Sequence, residues 1–166
     1  MFWYNKSMND YLKTLPRKRM ASGVLIFNEK GELLIVKMSY KSYWSIPGGV
    51  VEDSESPKDG CIREIKEEIG LDIKNLKFLC IDYTKADKSK NKDESLQFMF
   101  YGGRLNEEEI KNIKIDEKEI VEYNFVPLEK TTELLGGPVR SLVRRLPACL
   151  EALKENKGVY LEDGLI

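Results

Sequence analysis

Glu64, Glu67 and Glu68 stand at i, i+3 and i+4 in a segment that reads as a helix. Those positions share one helical face, so three carboxylates converge. Like charges at that spacing repel, and such a cluster asks for neutralisation by Lys or Arg or by a cation. The chain contains no histidine. That removes a Ser-His-Asp triad, a Cys-His pair, a histidine general base and His-ligated zinc. Acid–base work falls to Glu, Asp, Lys, Tyr or Cys. Oxygen-only ligands favour Mg²⁺, Mn²⁺ or Ca²⁺ over Zn²⁺. On the residues alone, the alternative is a solvated acidic face that binds nothing.

The elements that would position these residues follow from pattern and breakers. A helix is expected from about residue 57 to residue 69. Ser56 is its N-cap, Pro57 its first residue and Gly70 its stop, with Asp59 in the first turn. Ile62, Ile65 and Ile69 make an apolar face, so the helix is expected to be anchored by isoleucines and to present its glutamates outward. Residues 21–27 and 32–38 read as a strand pair around Asn28-Glu29-Lys30-Gly31. Residues 43–46 read as a short strand ended by Pro47-Gly48-Gly49, and residues 50–56 as an acidic loop. Residues 77–84 and 95–105 read as strands around a charged loop, 85–94. Gly102-Gly103 suggests a bulge or a close backbone approach. Residues 106–118 read as polar and mostly irregular. A last strand, 122–127, a short helix, 128–135, and a longer helix to about residue 156 complete the chain. Leu142, Val143, Leu146, Leu150 and Leu153 form the apolar stripe of that helix. Its Arg140, Arg144 and Arg145 read as surface or structural.

The length, 166 residues, suits one domain. Lys plus Arg is 27 and Asp plus Glu is 28, so net charge is 27 − 28 = −1. No global field draws the chain to nucleic acid or to an anionic membrane. The three cysteines, Cys61, Cys80 and Cys149, are far apart in sequence and odd in number, which fits a reducing compartment. Cys61 reads as buried rather than reactive. With no apolar leader and no long apolar run, a cytoplasmic location is expected.

Residues 49–71 read GVVEDSESPKDGCIREIKEEIGL. They match Gly-x5-Glu-x7-Arg-Glu-(apolar)-x-Glu-Glu-x-Gly-(apolar) at Gly49, Glu55, Arg63, Glu64, Ile65, Glu67, Glu68, Gly70 and Leu71. This resembles the Nudix box, with no departure from its pattern, and the chain resembles a MutT-like Nudix hydrolase. The flanking Trp44-Ser45-Ile46-Pro47-Gly48-Gly49 and Glu122–Leu128 segments are also similar to the family. The resemblance implies an α+β fold in which a mixed curved sheet is sandwiched between helices. Residues 1–19 read as an arm and residues 20–166 as a single domain, and the resemblance implies cleavage of a nucleoside diphosphate linked to a moiety X.

It also implies residue roles. Glu67 and Glu68 would ligate divalent metal. Glu64 would be a ligand or the general base. Arg63 would be oriented by Glu55, and a backbone carbonyl at Gly48 or Gly49 would add a ligand. One to three Mg²⁺ or Mn²⁺ ions are implied. A further carboxylate often comes from a loop before the last strand, where Asp116, Glu117, Glu119 and Glu122 stand; Glu119 and Glu122 are favoured, with Glu94 behind them. Weaker candidates for substrate contact are Arg19 (with Arg17 and Lys18), Tyr40, Tyr43 and Trp44. The expected partner is a small nucleotide or nucleotide-sugar, and the aromatic arm Phe2, Trp3, Tyr4 could serve a homodimer. Two other readings stand beside hydrolysis: a ligand-sensing or binding module of the same fold, and an isoprenoid-diphosphate isomerase. Motif and fold do not fix the substrate.

Overall fold

The computed structural model describes residues 8, 10–87, 89, 93–137 and 140–166. The arm residues Phe2, Trp3 and Tyr4 lie outside them, as do Pro138 and several residues of the 85–94 loop. Strands β1 (Arg19–Asn28), β2 (Leu33–Met38), β3 (Lys77–Thr84), β4 (Ser95–Leu105), β5 (Ile120–Val126) and β6 (Val159–Glu162) form one sheet. Its order is β5-β2-β1-β4-β3-β6. The β1–β4 and β3–β6 pairs are parallel and the others antiparallel. Residues 10–14 are helical, and the helices that follow are α1 (Pro57–Ile69), α2 (Glu107–Lys111), α3 (Thr131–Leu134) and α4 (Ser141–Glu155).

The sheet is covered on both faces, which is why β1 and β2 are near-continuous apolar runs rather than alternating ones. On one face Val24, Ile26, Leu34 and Val36 pack with Cys61, Ile65 and Ile69 of α1. On the other, Leu25, Phe27, Leu33 and Ile35 pack with Leu142, Val143, Leu146 and Cys149 of α4. The result is the mixed sheet between helices that the sequence implied. Ile65 and Ile69 are fully buried. Each contributes about 1.5–3 kcal/mol through removal of its side chain from water, so two isoleucines hold the acidic helix on the sheet. Gly102 occupies a bulge where β1 and β4 shift register.

Three local expectations need correction. The strand expected at 43–46 is a single bridge, Val36 to Ser45. Beyond it Pro47 and the two glycines turn the chain from β2 onto β1, where Val24 N–H donates to Pro47 O (3.0 Å) and Ser22 N–H to Gly49 O (2.9 Å). The 106–118 stretch is not mostly irregular at its start: Asn106 and Glu109 form a reciprocal capping box on α2. The tail also adds an unexpected edge strand, β6, alongside β3.

The C-terminal turn is tied to the sheet by a buried ion pair. Asp82 on β3 accepts from Arg145 Nε (3.0 Å) and Nη2 (2.8 Å) and from Gly164 N–H (2.9 Å). Removing one partner would strand the other charge in the interior. Asp82→Ala is therefore expected to cost about 3–5 kcal/mol. Urea unfolding measures this, and a loss below about 1 kcal/mol would show that Arg145 finds water or another partner.

Candidate active site

α1 starts and stops where its sequence dictates. Ser56 Oγ accepts from Asp59 N–H (3.1 Å), Pro57 opens the first turn, and Gly70 closes the helix at φ 72°. The carbonyls of Glu68 and Ile69 are satisfied by Asp116 N–H (3.3 Å) and Lys114 N–H (2.9 Å) from the loop before β5. That loop is thereby pinned beside the glutamates.

Arg63 is the organising side chain. Its Nε and Nη2 hold Glu55 (3.3 and 2.8 Å), its Nη1 holds Glu64 (3.0 Å) and Glu67 (2.9 Å), and Nη2 also donates to Val50 O (3.1 Å). Five N–H donors make five bonds, which only a guanidinium can do. Arg63 keeps its proton more firmly than usual, chiefly through Glu55. Arg63 in turn holds the Glu55 carboxyl below its ordinary range, helped by Glu52 N–H.

Glu68 is not presented outward. It is 1% exposed, and its Oε2 accepts from Gly48 N–H (2.8 Å). Burial pushes its pKa up to about 8, with Glu64 and Glu119 adding to the rise and Gly48 and Lys41 opposing it. Glu64 is also raised, first by burial and then, against Arg63, by Glu67 and Glu119. Glu67 remains 57% exposed. Among the described residues no three acidic side chains form a closed cage, because Arg63 stands between Glu64 and Glu67 while Glu68 turns to Gly48.

The Pro-Gly-Gly turn is steric. Gly48 has φ 138°, and a side chain there would run into Ser22 O. A side chain at Gly49 would run into the Glu64 carboxylate. The glycines let the backbone lie directly against the acids.

The remaining candidates separate. Glu119 is close enough to act on Glu64, Glu68 and Tyr40. Glu122 is paired in register with Lys37, whose neighbour Ile35 faces the α4 side, so it points away from α1. Glu94 is engaged by Lys18 (2.5 Å) and Tyr83 (2.7 Å). Asp116 accepts from Lys118 N–H (3.0 Å), and both it and Glu117 are exposed. Trp44 packs against the α4-side core. Arg17 is exposed on the approach to β1. Arg19 and Tyr43 line a cavity of about 420 Å³ on the α4 side. Cys61 is fully buried and its thiol is pushed up to about 12, so it is inert. Lys41 and Arg140 also line the cavity and were not singled out as site residues from the sequence. They lie almost a hundred residues apart, and no local spacing joins them.

Comparison with known proteins agrees with this geometry. The NUDIX domain model matches residues 17–146, and the chain belongs to the Nudix family. An RNA pyrophosphohydrolase from Marinomonas sp. is 38% identical over 50 residues, 30% of this chain and 31% of that protein. The chain spans about a third of the length of the first curated relatives it matches. Among solved structures, a MutT protein from Methanosarcina mazei Go1 superposes with TM-score 0.65 at 27% identity, covering 87% of this chain and 99% of that one. The NUDIX domain of Shewanella oneidensis NrtR, solved with ADP ribose, has TM-score 0.67 at 15% identity over 87% of this chain and 97% of its own, and shares the fold.

The burial of Glu68 has a measurable consequence. The folded protein retains its proton at a pH where the unfolded chain, with the ordinary value of 4.5, has lost it. In chelator, stability is therefore expected to fall as pH rises from 4.5 through about 8 and to level off above. Glu68→Gln should melt like the wild type near about pH 5 and higher than it near about pH 9. Coincident melting temperatures at both values would mean that Glu68 is charged and well solvated.

Proposed function

We propose that the protein is a divalent-metal-dependent pyrophosphohydrolase. Its substrate class is a nucleoside diphosphate linked to a further moiety, nucleotide or nucleotide-sugar in kind. One observation carries the reading: Arg63 gathers Glu55, Glu64 and Glu67, and Glu68 and Glu119 act on the same cluster beside Lys41. The donor set is all oxygen and has excess negative charge, which fits Mg²⁺ or Mn²⁺.

Glu64, Glu67 and Glu68 would hold one to three such ions. Gly49 O already accepts from Ser22 N–H (2.9 Å), so the Gly48 carbonyl is the better backbone ligand. When bound, the metal neutralises the diphosphate and acidifies a water. Glu64 is suited to take that water's proton on its carboxylate, because half-burial moves its pKa toward neutrality. Arg63 is a positioning residue: locked by Glu55, it spaces Glu64 from Glu67 and releases the exposed Glu67 when a stronger cation competes. Glu119, carried by the loop pinned to the end of α1, is the downstream acid best placed to assist.

Glu67→Gln tests this reading. Glu67 is exposed, so the variant should fold with an unchanged melting temperature. Its kcat/KM in Mg²⁺ or Mn²⁺ should fall at least about 100-fold against ADP-ribose, nucleoside triphosphates and dinucleoside polyphosphates. Full activity in the variant would remove Glu67 from the metal site. Silence of the wild type across the panel, with ligand still raising its melting temperature, would make the protein a binding module.

A further inference from the structure

The cavity on the α4 side has a composition unlike the rest of the molecule. Its lining contains Arg19, Lys41, Arg140 and Arg145 and no Asp or Glu. Among the described residues, Arg145 is the one of these four with an ion-pair partner, Asp82. Three cations therefore face about 420 Å³ without an acidic side chain, in a chain whose net charge is −1.

The cavity exists because the sheet floor is small there. On this face β1 presents Ala21 and Gly23 beneath the cavity, but Leu25 and Phe27 where the core is filled. Ser95 and Thr84 continue the small floor on β4 and β3. The roof is the start of α4. Its N-cap, Arg140, makes no side-chain capping bond, and no acid sits in its first turn. Ser141 and Leu142, the first residues of that helix, line the cavity. Thr84 Oγ1 is buried and has no hydrogen-bond partner, on the face of β3 that carries Asp82 toward α4. A buried hydroxyl left unpaired beside an uncapped helix start and unpaired cations is a site waiting for an acceptor.

Lys41 and Arg140 are partly dry, and Arg140 is held in place. Arg140 stacks on the Tyr43 ring at 3.9 Å and donates to Leu135 O (2.6 Å). Lys41 loses proton affinity through burial and then through Arg140, while Glu68 acts in the opposite sense. Lys41 is thus within electrostatic reach of both Glu68 and Arg140, and it lines the cavity together with Gly48 and Arg140.

Resting on the hydrolase reading above, we propose that this cavity receives a phosphoryl group beyond the two phosphates held at the α1 carboxylates, so that the substrates are nucleoside polyphosphates with three or more phosphates rather than nucleoside-diphosphate sugars. Sugar hydroxyls call for carboxylate and amide acceptors. Here no carboxylate lines the cavity, and Gln97 is its one side-chain amide. Cations, helix N–H groups and a spare hydroxyl are the donors that phosphate oxygens need.

The test separates the two readings. Lys41→Met is the clean variant, since the Lys41 side chain makes no hydrogen bond or ion pair among the described residues and the fold does not depend on it. Calorimetric titration with inorganic tripolyphosphate in chelator should show binding to the wild type, about tenfold weaker in Lys41→Met. In Mg²⁺, kcat/KM for ATP should exceed that for ADP-ribose, and Lys41→Met should raise KM for ATP about tenfold with kcat within about twofold. Equal tripolyphosphate affinity in the two proteins overturns the assignment, as does a preference for ADP-ribose. Tripolyphosphate binding that depends on Lys41, in a protein that cleaves nothing, would support the anion site and overturn the hydrolase reading.

Discussion

The hydrogen bond from Gly48 N–H to the Glu68 carboxylate joins the two halves of this molecule. It draws the turn between β2 and α1 against the acidic helix, and that turn is bonded on its other side to β1. The acids lie on one side of this short piece of backbone and the cationic cavity on the other. A charged residue in place of Gly48 or Gly49 could not stand there: one position meets Ser22 O and the other the Glu64 carboxylate. The backbone must be bare for opposite charges to be kept so close without collapsing into ion pairs.

That separation explains why the net charge says so little. The near-balance of acids and bases averages over a carboxylate cluster and a cationic pocket that face a common turn. Arg63 relieves the repulsion among Glu55, Glu64 and Glu67, but it has no donor left for Glu68. Glu68 is left to burial, one backbone N–H and the field of Lys41. The site carries more negative charge than its own cations cancel, and the pocket more positive charge than its own acids cancel. A metal–polyphosphate complex has the charge distribution that answers both.

What could be read from the sequence was what is local. The Ser56 cap, the Gly70 stop and the anchoring of the helix by Ile65 and Ile69 are as expected, while Cys61 rather than Ile62 completes the buried face. The pairing of Arg63 with Glu55, which the family resemblance implied, spans only eight residues. The burial of Glu68 was hidden because periodicity places it with Glu64 and Glu67, while the Gly48 turn, twenty residues earlier, decides what covers it. β6 is four residues at an edge, too short to stand out in the sequence, and it is a strand because it pairs with β3. Arg140 read as one of three arginines on a helix face. Its partners, Tyr43, Trp44 O and Leu135 O, come from two other segments.

The sheet itself shows how fold and function share one strand. β1 is buried from Ser22 onward, and its α4-side residues grow from Ala21 and Gly23 to Leu25 and Phe27. The large end fills the core, where each side chain adds to stability. The small end leaves room beside Arg140 and Lys41. A larger residue at Gly23 would press on Ile46 at 3.0 Å and on Met99 at 3.5 Å. The strand thus forgoes packing where the cavity lies, and the cost is bearable because β1 is held there by β4 on one edge and the Pro-Gly-Gly turn on the other. The floor of the pocket is thereby fixed by the same hydrogen bonds that hold the sheet, while Lys41, Tyr43 and Arg140 reach it from the segments that pack above.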